Sequence, residues 1–264
     1  MSKADIQGAL WGAKAQDWAE LQEPAWNPIF ERGFDLAGLH AGVSLLDIGC
    51  GAGGALALAR RRGADVAGTD ASANLVAVAR RRLPDAQIEI GDMEALPFAA
   101  SRFEIVTGFN SFQFAADPIR ALSEAGRVCR PDGTIFLLAW GKPEECELMT
   151  MVMRHVMALL PDSRSGADVP IADPARIEVA LRAAGIAAGE SGEFSGELVY
   201  PNAGTALRAL LSAGITVRAA QIAGEAWVSD VIRAGLGPAT RSDGTVAFNN
   251  RFCWLKGRKV KADS

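Results

Sequence analysis

The chain has 264 residues, 49% of them hydrophobic and 22% charged, with 27 basic and 31 acidic side chains for a net charge of −4. That length holds one or two domains and buries a core without disulfide or metal staples. The acidic balance argues against a basic nucleic-acid footprint, and two His with four dispersed Cys (Cys50, Cys129, Cys146, Cys253) argue against structural zinc.

Leu10, Trp11, Trp18 and Leu21 fall on a helical period that predicts a helix over residues 8–22, closed by Pro24. A second helix is expected over 25–39, before Gly42. From residue 43 short apolar runs alternate with amphipathic stretches. Strands are expected at 43–48, 65–69, 87–90, 103–107 and 134–139, the last launched by a Pro131-Asp132-Gly133 turn. Helices are expected at 55–62, 74–83 and 118–129, the first ending at Gly63 and the second at Pro84. This alternation is the pattern of βαβ units, an α/β fold with a mostly parallel sheet. Beyond Trp140 it lapses into a Met-rich helix over 144–160 (Met149, Met151, Met153, Met157) and a polar loop over 161–172. Asp173 and Pro174 then open a helix to about Ala184, with further helices over 203–213 and 217–235 and a closing strand over 246–256. No apolar run approaches the ~20 residues that span a bilayer. With free thiols and an N-terminus lacking an apolar leader, a cytoplasmic protein is expected.

The informative segment is Leu46-Asp47-Ile48-Gly49-Cys50-Gly51-Ala52-Gly53-Gly54, a glycine turn between strand and helix. Such a turn lets backbone approach a ligand and offers N–H groups at the helix start. Alone it fits a dinucleotide fingerprint as well as an adenosyl site. Three acids divide the readings. Asp47 would repel a pyrophosphate and suits a cationic amine; Asp70, at the end of the second strand, can accept from ribose hydroxyls; Asp92 can accept from an adenine amino group, with Met93 against the ring. These turns contain no basic residue.

The run LLDIGCGAGG, VAGTDAS, IEIGDMEALPF, FEIVTGFNSFQF and RVCRPDGTIFL, over roughly residues 43–140, resembles the class I S-adenosylmethionine (SAM) dependent methyltransferases. Within them it is most similar to the ubiquinone- and menaquinone-biosynthesis-like small-molecule enzymes. The resemblance implies a Rossmann-like, seven-stranded, mostly parallel sheet with helices on both faces, N-terminal helices and a helical lid extension. It implies a helical cap over 1–42, a SAM-binding core over 43–142, an extension or substrate lid over 143–240, and a final strand and tail over 241–264. Its closing strands would lie near 193–199 and at 246–256. SAM would be the cofactor and S-adenosylhomocysteine (SAH) the product. By the same resemblance Asp47, Gly49 and Gly51 line the methionine end, and Asp70 binds the ribose with Ala71 beside the adenine. Asp92 and Met93 hold the adenine. Asn110 holds the amine, flanked by Phe109 and Phe112, and Trp11 and Trp18 cover the cofactor. The Asn/Asp-Pro-Pro-Tyr signature of enzymes that methylate base or glutamine amines is absent, the site reading Asn110-Ser-Phe-Gln113.

The expected reaction is in-line methyl transfer to an oxygen, carbon or nitrogen of a small, partly apolar acceptor, by placement more than by acid or base. No catalytic residue and no metal ligand is assigned; a general base, if used, would be His155. The expected partners are a small-molecule acceptor, no nucleic acid and no membrane, with the chain a monomer or homodimer. An NAD-dependent oxidoreductase, a SAM-binding enzyme of non-methylating chemistry and a non-catalytic binding module remain open alternatives.

Overall fold

A computed structural model describes residues 1–160 and 174–259. The expected loop over 161–172, Asp173 and the end of the basic tail lie outside the described residues.

The N-terminus is helical from Lys3, earlier than expected. Ser2 and Asp5 form a reciprocal capping box, with Asp5 N–H donating to Ser2 Oγ at 3.0 Å and Ser2 N–H to Asp5 Oδ2 at 2.8 Å, so α1 runs Lys3–Gly12. The expected helix over 8–22 is therefore divided: α2 (Ala15–Asp17) leads into a π-turn at Trp18–Gln22 and then α3 (Glu23–Ala37). Pro24 does not stop this run. It lies in the first turn of α3, where a missing N–H leaves nothing unpaired. Gly38, in the left-handed region at φ 79°, ends it.

The α/β core follows expectation: β1 (Ser44–Ile48), α4 (Gly54–Arg61), β2 (Asp65–Asp70), α5 (Ala73–Arg82), β3 (Gln87–Ile90), β4 (Phe103–Phe109), α6 (Pro118–Val128) and β5 (Cys129–Trp140). Pro131-Asp132-Gly133 is an irregularity inside β5 rather than a turn before it. Phe103 pairs with Cys129 and Ile105 with Thr134, so the additional residues loop out between two registered ends. The long helix expected over 144–160 is broken into a 3₁₀ turn (Pro143–Glu145), a π-turn (Met149–Met153) and α7 (Arg154–Met157). After α8 (Pro174–Ala183) come β6 (Ile186–Tyr200), α9 (Ala203–Leu211), α10 (Gly214–Ala223), α11 (Glu225–Ala239) and β7 (Val246–Lys259). Gly224, at φ 87°, splits the helix expected over 217–235 into α10 and α11.

The strands form one seven-stranded sheet in the order β3-β2-β1-β4-β5-β7-β6. β7 runs antiparallel to both its neighbours, while the pairs from β3 through β5 are parallel. β1 is buried on both faces, as a central parallel strand should be. Apolar residues of α3, α4 and α5 pack on one face with those of α9 and α11, and α6 and α8 cover the other. Met149, Met151, Met153 and Met157 pack against the first of these cores. Among the described residues no helix is long and apolar enough to cross a membrane.

Candidate active site

The parallel strands β1, β2 and β4 end side by side, and the turns that follow them build a cavity of about 850 Å³, its open mouth included. The glycine turn after β1 is possible because Gly49, Gly51 and Gly53 take positive φ values of 77°, 57° and 80°. At Gly49 a Cβ would stand 2.4 Å from the Ser111 Cβ, so the position is closed to side chains.

Every amide of this turn is already engaged. Gly49 and Cys50 N–H donate to the Thr69 carbonyl, Gly51 N–H to Asp70 Oδ2 at 2.9 Å, Ala52 N–H to Glu23 Oε1 at 2.8 Å and Gly53 N–H to the Cys50 carbonyl. The amides of Gly49 to Gly53 are thus taken by the Asp70 and Glu23 carboxylates and by the Thr69 and Cys50 carbonyls. A diphosphate needs such donors.

Three carboxylates face this space, Glu23 and Asp47 buried and Asp70 half-buried. Asp70 accepts from Gly51 and, at 2.8 Å, from Ser72 N–H, and burial pushes its carboxyl above the usual range. Glu23, at the start of α3, is 5% exposed and pairs with Arg82 Nη1 at 2.5 Å. Burial raises its carboxyl against the pull of that guanidinium. Arg82 also donates to the Ala52 and Ala19 carbonyls, tying the glycine turn and the N-terminal helices to α5. Asp47 accepts from Thr107 Oγ1 at 2.7 Å; burial pushes it up to about 7, with Asp70 and Glu23 adding repulsion.

The Asp47 proton gives the first prediction. Between the ordinary value of 3.8 and about 7 the folded chain holds a proton on Asp47 that the unfolded chain has released. Ligand-free stability therefore falls as pH rises through that window and levels off above it. Thermal unfolding from about pH 5 to about pH 7 is expected to show a downward slope that is shallower in Asp47→Asn; equal slopes would contradict the assignment.

Aromatic side chains form the rest of the wall. Trp11 and Trp18 meet edge to face at 4.9 Å, Trp11 also meets Phe114 at 5.3 Å, and Phe30 meets Phe109 at 5.1 Å. The buried indole nitrogens of Trp18 and Trp26 have no hydrogen-bond partner. α1 lies close over the turn after β2, where a Cβ at Gly8 would stand 2.3 Å from the Ala71 carbonyl oxygen. Asn110, at the end of β4, sits in the left-handed region at φ 54°, and Gln113 Nε2 donates to its Oδ1 at 2.7 Å.

Of the residues nominated from sequence, Trp11, Trp18, Asp47, Gly49, Gly51, Asp70, Ala71, Met93, Phe109 and Asn110 line this cavity. Asp92 lines an adjoining space of about 390 Å³ that shares Asp70, Ala71 and Met93 with it. Phe112 is a correction: it is buried against Gly108 in the core on the α6 side and lines neither space, and Phe114 takes the place beside Trp11. The resemblance nominates Phe112 as a neighbour of Asn110; the 3₁₀ turn at Phe112–Phe114 turns it into the core. His155 is exposed on α7, its Nε2 3.1 Å from Arg154 Nε, and lines neither space. Sequence reasoning missed Glu23, Trp26, Phe30, Ser111 and Phe114.

A family model described as a methyltransferase domain matches residues 46–137. The chain is 31% identical over 161 residues to the ubiquinone biosynthesis O-methyltransferase of Coxiella burnetii, covering 56% of this chain and 67% of that one. The chain belongs to the class I SAM-dependent methyltransferases. It spans about half the length, or less, of several other curated relatives that it matches, from 33% to 54%. The fold of this chain is similar to that of the YcgJ protein of Bacillus subtilis, with a TM-score of 0.58 and 21% identity over 88% of this chain and 98% of that one. It is also similar to geranyl diphosphate C-methyltransferase of Streptomyces coelicolor A3(2), solved with SAH, with a TM-score of 0.51 and 15% identity over 88% and 79% of the two chains.

The cavity suits the methyltransferase cofactor. Its wall holds three carboxylates and, among the described residues, no Lys, Arg or His. That donor set favours a ligand with a sulfonium and an ammonium and opposes one with a diphosphate. Among the described residues no group of three or more His, Cys, Asp or Glu is arranged to hold a metal ion.

Proposed function

We propose that the chain methylates an oxygen, carbon or nitrogen of a small, partly apolar acceptor. The observation that carries this reading is the shared cavity, in which the acidic end (Asp47, Asp70, Glu23) and an aromatic wall (Trp26, Phe30, Phe109) enclose one space. SAM, when bound, supplies a methyl group already activated on a sulfonium.

The chain's own residues then have to bind, orient and exclude water. Asp70 keeps lone pairs beyond those given to Gly51 and Ser72, and these would take the ribose hydroxyls. Ala71 and Met93 would flank the adenine and Asp92 would accept from its amino group. Asp47, Gly49, Gly51 and Asn110 would line the amino-acid end. Phe109, Phe30 and Trp26 would seat the apolar body of the acceptor and keep water from the reacting atoms. Alignment and water exclusion of this kind supply about 7–11 kcal/mol without an acid or base, which suits a wall without histidine. The Coxiella burnetii relative, named for O-methylation in ubiquinone biosynthesis, supports an acceptor with an apolar body.

Calorimetry with SAM, SAH and NAD tests the cofactor half of the reading. SAM and SAH are expected to bind and NAD to bind far more weakly, and tighter binding of NAD would overturn it. Conversion of SAM to SAH across a panel of hydroxylated aromatic and aliphatic acceptors tests the other half; turnover confined to macromolecular acceptors would refute a small-molecule substrate.

A further inference from the structure

Among the described residues the cavity wall is drawn from the first half of the chain, its last member being Phe114. The C-terminal elements nevertheless hold the N-terminal helices that cover it. Tyr200, at the end of β6, donates its hydroxyl to Gln22 Oε1 at 2.9 Å, and both side chains are buried. Arg208 on α9 pairs with Asp17 at 2.5 Å, and Glu225 on α11 with Lys14 at 2.9 Å. Each pair has one side chain about 60% exposed, and such pairs contribute little. None of Lys14, Asp17 and Gln22 lines the cavity.

α10 reaches a residue that does. A Cβ at Gly214, the first residue of α10, would stand 2.8 Å from Trp11 Nε1 and 2.9 Å from each of its ring neighbours, Cδ1 and Cε2. Three consecutive ring atoms at nearly one distance mean that the face of the pyrrole ring, not its edge, rests on the glycine. The Gly214 backbone does not itself demand glycine, since it lies outside the left-handed region. Space demands it: a Cβ closer than 3.0 Å to the ring fits only if the indole moves. Trp18 and Phe114 bound that indole at 4.9 and 5.3 Å, and Gln7 Oε1 accepts from its N–H at 3.2 Å. A ring pushed off Gly214 therefore has to give up these partners or enter the cavity that it lines.

We propose that Gly214 is a positioning residue for the cofactor. By admitting the Trp11 indole flat against α10 it sets the ring over the cofactor, so the affinity for SAM and SAH depends on a helix that contributes nothing to the cavity wall. The proposal rests on the SAM reading above, with Trp11 covering the cofactor. It couples the two ends of the chain reciprocally: a cofactor that fixes Trp11 also steadies α10, and a displacement of α10 is felt at the cofactor.

Calorimetry with SAH as the probe, on wild type, Gly214→Ala, Trp11→Ala and the double variant, tests this role. Gly214→Ala is expected to bind SAH about fivefold or more weaker, with a circular-dichroism melt close to that of wild type because the displaced ring can move into open space. In the Trp11→Ala background the same substitution is expected to change affinity by less than about twofold, since no ring is left to displace. A smaller loss in Gly214→Ala, or an equal loss in both backgrounds, overturns the role; damage to α10 itself would not depend on Trp11. Should Gly214→Ala fail to fold, hydrogen exchange of wild type decides: SAH is expected to slow exchange in α10 as well as in α1, and unchanged exchange in α10 overturns the coupling. Wild type that does not bind SAH fails the cofactor reading itself, whereas wild type that binds it, with Gly214→Ala unaltered, fails the role of Gly214 alone.

Discussion

Asp70→Ala is expected to weaken SAH binding by at least about 100-fold in calorimetry. Each hydrogen bond to a charged acceptor is worth about 1.5–3 kcal/mol, and a ribose diol that makes two of them loses roughly 3–6 kcal/mol with the carboxylate. At 1.4 kcal/mol per tenfold this is about two to four decades of affinity. A second loss adds to the first. Gly51 and Ser72 N–H both donate to Asp70, so its removal also costs one of the bonds that tie the glycine turn to β2, leaving those of Gly49 and Cys50 to Thr69. Asp70→Asn keeps one carbonyl oxygen and is expected to fall between the two. A loss below about tenfold in Asp70→Ala would contradict the ribose assignment, and a circular-dichroism melt close to wild type would show that the fold is intact.

Arg82→Ala is expected to lower stability more than any other change discussed. Removing one partner of a fully buried ion pair costs about 3–5 kcal/mol. The Glu23 side chain is 6% exposed and that of Arg82 29%, which places this pair nearer 2–3 kcal/mol after allowance for solvent. For a chain of this size that is a fall in Tm of roughly 5–10 °C. The pH dependence identifies the cause. Burial already holds the Glu23 carboxyl above its usual range, and loss of the guanidinium raises it further. Protonation then relieves the uncompensated charge, so the deficit is expected to shrink as pH falls from about 8 to about 6. A deficit independent of pH would mean that the bonds of Arg82 to the Ala52 and Ala19 carbonyls dominate instead. Glu23→Gln retains an acceptor for Ala52 N–H and is expected to be milder.

The core of the sheet was legible because each of its signals is local. A short apolar run, a glycine or proline stop and an amphipathic stretch suffice to mark β1 to β5 and the helices between them. The same holds for Asp47, Gly49, Gly51 and Asp70, which follow strand ends at fixed offsets and meet in one cavity. Glu23 was not legible, since its partners Ala52 and Arg82 lie 29 and 59 residues away and no periodicity announces an ionic contact. Trp26 and Phe30 read as an ordinary apolar helix face, and only the packing of α3 on the sheet, with Phe30 against Phe109, makes them cavity wall. Pro24 and Pro131 were misread for one reason: proline forbids a donor, and whether that ends an element depends on whether the fold needs the donor there. Phe112 is nominated by resemblance alone, and the 3₁₀ turn at Phe112–Phe114, which sends Phe112 into the core and Phe114 to the cavity wall, leaves no periodic signal in so short a segment.

Asn110 answers two unrelated demands at once, and together they leave little choice. Its backbone is left-handed, a conformation that glycine, asparagine and aspartate tolerate best. Its side-chain oxygen receives the Gln113 amide, which glycine could not do. Aspartate could, but it would add a fourth carboxylate to a cavity whose wall already holds Glu23, Asp47 and Asp70. Shape and charge together therefore favour asparagine at this position before any ligand is considered.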